Sequence, residues 1–336
     1  MKLFVYVLFL CTVVLGREAK TLDGGKRTVR NLVRKKRILK GEVVNEVVPY
    51  MVSVQRRWDR AHVCGGTLVY LRLVVTSCSC VAHSDDSASG LEPALPKGYI
   101  VIAGSKSNWN LNDANTRIAV RMEADARCRY DLGSELWEHD IGYITVQKPF
   151  NFIENNLETI KNFPTTQWKL DADLATFMYK TDFQEGGKEY CYVYGWGASA
   201  TKKEDGVFDV DDITADLKHK AVQFVNKSDC RARLCSVNRG GCAFDLDKSK
   251  AFCIASSGGA KGPLCFGDNG SPLICGGRFF AVGEVTFECG FYQFSLFFKI
   301  DVETIRTYLS DHTSFPKISH FLFPFLTVFL SLQFRV

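Results

Sequence analysis

The amino-acid sequence predicts an all-β protein. The chain has 27 glycines against 9 prolines, and segments with a long helical period are few. Residues 47–54 and 99–103 are short apolar or alternating segments of the kind that form strands, and Gly104 closes the second. Hydrophobic residues make up 46% of the 336 positions, which is enough for one or two compact domains.

The positive charge is concentrated near the start of the chain. The formal net charge is +5. Residues 17–37 hold nine Lys and Arg against two Asp and Glu, so the sequence from residue 38 onward is mildly acidic. A mildly acidic globular part gives no indication of nucleic-acid binding.

Residues 1–16 have the pattern of a secretory signal peptide. Lys2 supplies the positive charge, residues 3–15 form an apolar core, and Gly16 belongs to a group of small residues suited to cleavage. A membrane anchor is the alternative, but the apolar segment is shorter than the roughly 20 residues that cross a bilayer. We therefore expect an extracellular protein.

Cysteine usage agrees with secretion. Once Cys11 is removed with the signal peptide, twelve cysteines remain. An even number of cysteines in a secreted chain predicts disulfide bonds. A zinc site is the alternative, but it needs tighter cysteine spacing together with partner histidines.

Residues 17–37 are interpreted as a basic pro-segment. It ends in Arg34-Lys35-Lys36-Arg37, a processing pattern that predicts cleavage after Arg37 and a new amino terminus at Ile38. The alternative is a solvated basic tail that is not processed.

Five motifs in order resemble those of the chymotrypsin-like (trypsin-fold) serine proteases. They are Cys64-Gly65-Gly66-Thr67-Leu68, Val74-Val75-Thr76-Ser77-Cys78-Ser79-Cys80, Asp140-Ile141-Gly142, Tyr194-Gly195-Trp196-Gly197 and Cys265-Phe266-Gly267-Asp268-Asn269-Gly270-Ser271-Pro272. The resemblance covers residues 38–310. It implies two six-stranded antiparallel β-barrels with a cleft between them. A short C-terminal helix follows, for which Val302, Ile305 and Leu309 supply one apolar face.

The resemblance implies which positions correspond to the catalytic triad. Ser79 stands at the position of the histidine, Asp140 at that of the aspartate and Asn269 at that of the nucleophilic serine. An amide cannot be activated as a nucleophile, and a serine hydroxyl is no general base near neutral pH. We therefore interpret the chain as a catalytically inactive serine protease homologue that uses no cofactor and no metal.

A residual serine endopeptidase is the alternative function. His83 would then act as the base and Ser271 as the nucleophile, although Ser271 lies two residues past the usual position. The resemblance also implies that the amine released at Ile38 pairs with Asp268, the residue beside the nucleophile position.

The resemblance also assigns a primary specificity pocket. Pro263 lies at its floor, Phe287 and Glu288 on one wall, and Ser295 on the far wall. The segment before Cys265 has no acidic residue that could hold Arg or Lys, and Glu288 is expected to crowd the entrance. We expect the pocket to be partly filled.

The resemblance implies four disulfides, which are Cys64–Cys80, Cys191–Cys275, Cys230–Cys253 and Cys265–Cys289. Of the other cysteines, Cys235 and Cys242 are close in sequence and are expected to pair. Cys78 and Cys128 are then left as candidates for a sixth bridge, beside the position of the histidine.

Residues 311–336 depart from the family. A polar spacer leads to the largely apolar residues 321–334, an arrangement typical of a lipid-anchor signal with attachment near Ser310. The alternative is a hydrophobic extension. Asn226 and Asn269 each begin a glycosylation sequon, and we expect a glycan at Asn226 because Asn269 lies in a tightly bent loop.

These observations favour a secreted protein that works by binding. The expected partners are extracellular proteins, such as a protease or an inhibitor, in a reproductive or immune fluid. The chain would act as a decoy, cofactor or scaffold, and it would contact a membrane only if its tail is an anchor signal.

Overall fold

The computed structural model describes residues 41–84, 90–109, 115–152, 157–183, 191–198, 200–202, 208–210, 213–237, 239–257, 262–284 and 294–313. The strands in this part of the chain are β1 (Glu42–Val43), β2 (Met51–Arg56), β3 (His62–Tyr70), β4 (Leu73–Thr76), β5 (Ala82–Ser84), β6 (Leu91–Pro93), β7 (Tyr99–Ala103), β8 (Thr116–Ala124), β9 (Arg129–Asp131), β10 (Leu136–Glu138), β11 (Gly142–Val146), β12 (Cys191–Gly195), β13 (Ala200–Lys202), β14 (Phe208–Val210), β15 (Lys218–Phe224), β16 (Ala251–Ser256), β17 (Pro272–Cys275), β18 (Arg278–Glu284) and β19 (Ser295–Lys299). The helices are α1 (Gln167–Phe183), α2 (Lys227–Val237) and α3 (Val302–Thr313).

The first barrel closes in the order β11-β4-β3-β2-β7-β8. Branched aliphatic side chains fill it, among them Val52, Leu68, Val101 and Ile144, all fully buried. Such residues suit strands because they pack well on a pleated surface. Burial of one of these side chains stabilises the fold by about 1.5–3 kcal/mol, so closing the barrel gives one continuous apolar core.

The second barrel runs in the order β15-β12-β17-β18-β19-β16 and closes through pairing of β15 with β16. Four phenylalanines dominate its core, namely Phe279, Phe280, Phe297 and Phe298. The short strand β1 adds to the outer edge of β15, where Val43 lies opposite Lys218. The same apolar cluster includes Val75 and Tyr143 of the first barrel, so the two barrels share packed surface.

Helix α1, which lies between β11 and β12, was not predicted from the sequence. Leu170, Leu174 and Phe177 recur at helical spacing and are buried against the second barrel. The helix begins after Thr166, whose hydroxyl accepts the Lys169 N–H at 3.2 Å, as an N-cap residue does. The helical period was therefore present in the sequence.

The structure confirms the prediction of two six-stranded antiparallel barrels with a short C-terminal helix. Val302 and Ile305 of α3 are fully buried, and the helix continues to Thr313, three residues into the predicted tail. The predicted signal peptide, the predicted pro-segment and residues 314–336 lie outside the described residues. No helix in the described part of the chain is both long and apolar enough to cross a bilayer.

Five disulfides join described cysteines. They are Cys64–Cys80, Cys78–Cys128, Cys191–Cys275, Cys230–Cys253 and Cys235–Cys242, and each confirms an expected pair. Cys265 is also disulfide-bonded, while its expected partner, Cys289, lies outside the described residues.

Candidate active-site region

Asp140 and Ser79 are brought together by strand pairing. Strand β4 pairs antiparallel with β11, and Thr76 lies opposite Gly142. The residues that follow β4 therefore meet those that precede β11. The Ser79 N–H donates to Asp140 Oδ1 at 2.8 Å, and the Ser79 hydroxyl donates to Oδ2 at 3.4 Å. Asp140 is fully buried, so its carboxylate is held by this turn and not by water.

A second buried carboxyl belongs to Glu284, the last residue of β18. Its pKa is raised by burial and by the negative charge of Asp140, although it accepts the Trp137 N–H. Burial likewise raises the pKa of Asp140 to about 7, against the opposing effect of the hydrogen bonds from Ser79 and Cys78. Two buried carboxyls thus influence each other beside the turn at Ser79. Glu284 was not among the predicted site residues, because nothing in the spacing of the chain links it to Asp140.

The Cys78–Cys128 disulfide adjoins the same carboxyl. The two sulfur atoms and a carboxylate oxygen of Asp140 lie within 4.8 Å of one another. The sulfur atoms are bonded to each other, whereas metals bind the free thiolate. The cluster is therefore a disulfide packed on a carboxyl and does not have the ligands of a zinc site.

The loop that contains Asn269 is held between the two barrels. The Asn269 carbonyl accepts the Gly65 N–H of β3 at 2.8 Å, and the Gly270 N–H donates to the Gly283 carbonyl of β18 at 2.8 Å. Gly270 has φ +79°, and a Cβ there would overlap the Thr76 hydroxyl. The loop needs glycine at this position both for its backbone conformation and for close contact with the first barrel.

Asp268 is fully enclosed behind this loop. Its carboxylate accepts the Gly197 N–H at 2.7 Å and the Cys265 N–H at 3.0 Å. Burial raises the pKa of Asp268 to about 7, while these two donors and the charge of Lys218 lower it. Arg37 and Ile38, the residues of the predicted cleavage site, lie outside the described residues.

His62 is a buried histidine near the loop that the sequence analysis did not single out. Its Nδ1 lies 2.7 Å from the Ser53 hydroxyl, and its Nε2 lies 2.9 Å from the Gly267 carbonyl oxygen. Both ring nitrogens are therefore occupied by hydrogen bonds. Burial lowers its pKa to about 4, although the bond to Gly267 acts the other way. Asp140 is not among its contacts in the described part of the chain, since that carboxyl bonds to Ser79.

The structure encloses Ser271 and exposes His83. Ser271 is completely buried, and its hydroxyl lies against the backbone of Gly65 and Gly195. His83 is an exposed residue of β5 and lies opposite Glu92 of β6. We find no contact between Ser271 and His83 within the residues that the structure describes.

The segments expected to form the floor and far wall of the pocket pack directly on each other. Pro263 is buried, and the Ser295 hydroxyl accepts the Leu264 N–H at 3.3 Å. A Cβ on Gly262 would lie 2.5 Å from the Phe294 carbonyl oxygen, so the two backbones are in close contact. Phe287 and Glu288 lie outside the described residues.

Two loops from different parts of the chain touch at Gly133 and Gly240. The hairpin of β9 and β10, which leads to Asp140, packs on the loop closed by Cys235–Cys242. A Cβ on Gly240 would overlap the Gly133 carbonyl oxygen, so only glycine allows this approach. Lys248 adds a weaker link, with its Nζ 3.9 Å from Glu138 of the hairpin.

Asn226 lies at the start of α2 with an exposed side chain. Its Oδ1 accepts the Asp229 N–H at 2.8 Å, and its Nδ2 donates to the Asp229 carboxylate at 2.8 Å. The side chain thus caps the helix, and its exposure leaves it open to solvent.

Comparison with known proteins agrees with this architecture. The family model described as Trypsin matches residues 40–301. Human (Homo sapiens) Testisin is 27% identical over 286 residues, which cover 82% of this chain and 76% of the relative. The inactive CLIP domain-containing serine protease A3 of Aedes aegypti is 36% identical over 102 residues, which cover 30% of this chain and 20% of that protein.

Among solved structures, human heparin binding protein has a TM-score of 0.53 at 17% identity. The match covers 81% of this chain and 95% of that one, and at such low identity it shows the fold alone. The family model spans the residues that build both barrels, from β1 to β19. The chain therefore belongs to the trypsin family of serine proteases.

Proposed function

We propose that this trypsin-family chain is a secreted, non-catalytic homologue that acts by binding another extracellular protein. The observation that carries the proposal is the contact between Ser79 and Asp140. In an active triad the aspartate orients a histidine, which takes the proton from the nucleophile. Here the carboxylate receives the Ser79 N–H at 2.8 Å, and a serine hydroxyl has too little basicity to replace imidazole near neutral pH.

His62 does not supply the missing base in this proposal. A general base must reach the proton of its nucleophile with a free lone pair. The two ring nitrogens of His62 are committed to Ser53 and to the Gly267 carbonyl, and the ring is buried.

The chain also lacks a nucleophile at the expected position. Asn269 carries an amide at the position that the family resemblance assigns to the serine, and an amide cannot be activated for attack. The nearby hydroxyl of Ser271 is completely buried, so a substrate carbonyl has no access to it. This argues against the residual endopeptidase.

An exposed aromatic and basic turn supports a binding role. Trp58, at the tip of the β2–β3 hairpin, is 77% exposed, and the Arg56 guanidinium lies 4.8 Å over its ring. Arg56 also pairs with Asp59 at 2.7 Å, an ion pair that fixes the guanidinium beside the indole. Trp and Arg are enriched among the residues that dominate protein interfaces. Five disulfides favour an oxidising, extracellular setting.

A fluorophosphonate probe tests the loss of catalysis. The mature protein, cleaved after Arg37, is incubated with the probe beside trypsin as a positive control. We expect labelling of trypsin and none of this chain. Covalent labelling of any serine in this chain would overturn the proposal.

Affinity capture from the native secretion tests the binding surface. The wild type is compared with Trp58→Ala and with Trp168→Ala, a control at an equally exposed indole on α1 (76% exposed). We expect the same protein to be retained by the wild type and by Trp168→Ala and to be lost with Trp58→Ala. Equal retention by all three would remove the hairpin from the proposed interface.

A further inference from the structure

We propose that Lys218 is the internal cation of Asp268, so that the loop at residues 265–272 is ordered without the amine that cleavage would release at Ile38. The proposal concerns how the loop is held. It therefore does not depend on whether the chain hydrolyses anything.

The strand register directs Lys218 toward the carboxylate. In the pairing of β12 with β15, Lys218 lies directly opposite Gly195. Residues opposite each other in an antiparallel pair point to the same face of the sheet. A Cβ on Gly195 would overlap Asp268 Oδ1, so the carboxylate lies on that same face. The Lys218 side chain thus leaves its strand on the side where Asp268 is buried.

Burial makes the pairing of charges necessary. Lys218 is 3% exposed and Asp268 is 0% exposed. A buried charge costs much free energy unless an opposite charge lies nearby. The two hydrogen bonds from Gly197 and Cys265 give the carboxylate donors but no net positive charge. Lys218 supplies that charge, and its attraction lowers the pKa of Asp268 against the larger effect of burial, which raises it to about 7.

The consequence concerns activation. An amine at Ile38 exists only after cleavage, whereas Lys218 belongs to β15 in both forms of the chain. Because Lys218 lies on the same face of the sheet before cleavage, Asp268 has a counter-charge in the uncleaved chain as well. Cleavage after Arg37 then separates the pro-segment from the rest of the chain and does not change how well the loop at residues 265–272 is ordered.

Hydrogen exchange of the peptide that spans residues 265–272 tests this directly. The cleaved protein is compared with an uncleavable Arg37→Gln chain, each with and without Lys218→Met. We expect equal protection in the two parent proteins and at least about tenfold faster exchange with Lys218→Met in both, because the carboxylate loses its counter-charge. Lys218→Arg keeps the charge and should stay close to wild type. Lys220→Met, on the same strand, is the matched control and should not change the exchange of this peptide.

A paired substitution keeps the test decisive if Lys218→Met does not fold. Lys218→Met combined with Asp268→Asn removes both charges, and we expect this double variant to fold and to regain slow exchange. Three results would each overturn the proposal. They are slower exchange in the cleaved wild type than in Arg37→Gln, wild-type exchange in Lys218→Met, and a double variant no better protected than Lys218→Met.

Discussion

Gly195 and Asp268 lie so close together that only a hydrogen atom fits on the glycine. A Cβ on Gly195 would overlap one carboxylate oxygen of Asp268, and a Cβ on Gly197 would overlap the other. The end of β12 and the turn after it thus form a cradle of two glycines for a buried carboxylate. The cradle fixes the loop that carries Asn269 against the second barrel.

The first prediction follows from this cradle. Gly195→Ala should lower the free energy of unfolding by about 2–4 kcal/mol, because either Asp268 or the strand must move. Urea unfolding measures the change. Gly98→Ala is the control, since nothing lies within 4 Å of a Cβ placed there, and it should stay within about 0.5 kcal/mol of wild type. Equal losses in the two variants would contradict the described packing.

The second prediction concerns the two positions assigned to the triad. Ser79→His combined with Asn269→Ser should gain slow fluorophosphonate labelling at position 269, because Asp140 is already placed beside residue 79. Each single variant should remain unlabelled, since a nucleophile and its base act as a unit. Labelling of either single variant would show that another group in the chain supplies the missing base or nucleophile. Failure of a folded double variant to react would show that positions 79, 140 and 269 no longer have the geometry of a triad.

The third prediction is a pH dependence of stability. Asp140 has a pKa raised to about 7, and that of Glu284 is also raised, whereas unfolded carboxyls titrate near pH 4. The stability that each protonated group supplies is present below about pH 4 and is lost as the pH rises through its raised pKa, which is about 7 for Asp140. Glu284→Gln removes one of them, so the free energy of unfolding should fall less steeply between about pH 5 and 8 than in the wild type.

His62 is the internal reference for that measurement. Burial lowers its pKa to about 4, so its contribution acts in the opposite direction and is lost as the pH falls below about 6.5. The contribution of His62 is the same in the wild type and in Glu284→Gln. The difference between their curves of unfolding free energy against pH therefore reports the carboxyl of Glu284. Parallel curves would refute the raised pKa of Glu284 in the folded protein.

The fourth prediction compares two disulfides. Cys78–Cys128 has a sequence separation of 50 and Cys235–Cys242 one of 7. Loop-closure entropy then predicts a loss of about 4 kcal/mol when the first pair is changed to serine, and of about 2 kcal/mol for the second. Urea unfolding of the two double variants gives the comparison. A larger loss from the short loop would mean that native contacts, and not chain entropy, set the effect.

The sequence by itself determined the architecture, because local motifs carry it. The motifs around Cys64, Gly195 and Cys265 occur along the chain in the order seen in the family that it resembles. Each specifies a close backbone contact or a disulfide that few other folds require. The residue types at 79 and 269 also follow from the sequence alone, and neither a serine at the position of the base nor an amide at that of the nucleophile can do the chemistry of the triad. The helical spacing of Leu170, Leu174 and Phe177 could have predicted helix α1. Trp168 interrupts that apolar pattern, because it is a large hydrophobic residue on the exposed face.

Only the tertiary structure decided which groups share a buried space. Glu284 and Asp140 are far apart in the chain, as are Lys218 and Asp268, and no spacing rule connects either pair. Glu284 and Asp140 approach each other because the two barrels pack together, and Lys218 and Asp268 because the paired strands β12 and β15 come from distant segments and Gly195 leaves room for the carboxylate. The charges and pKa values of the region follow from that burial, which is a property of the whole fold.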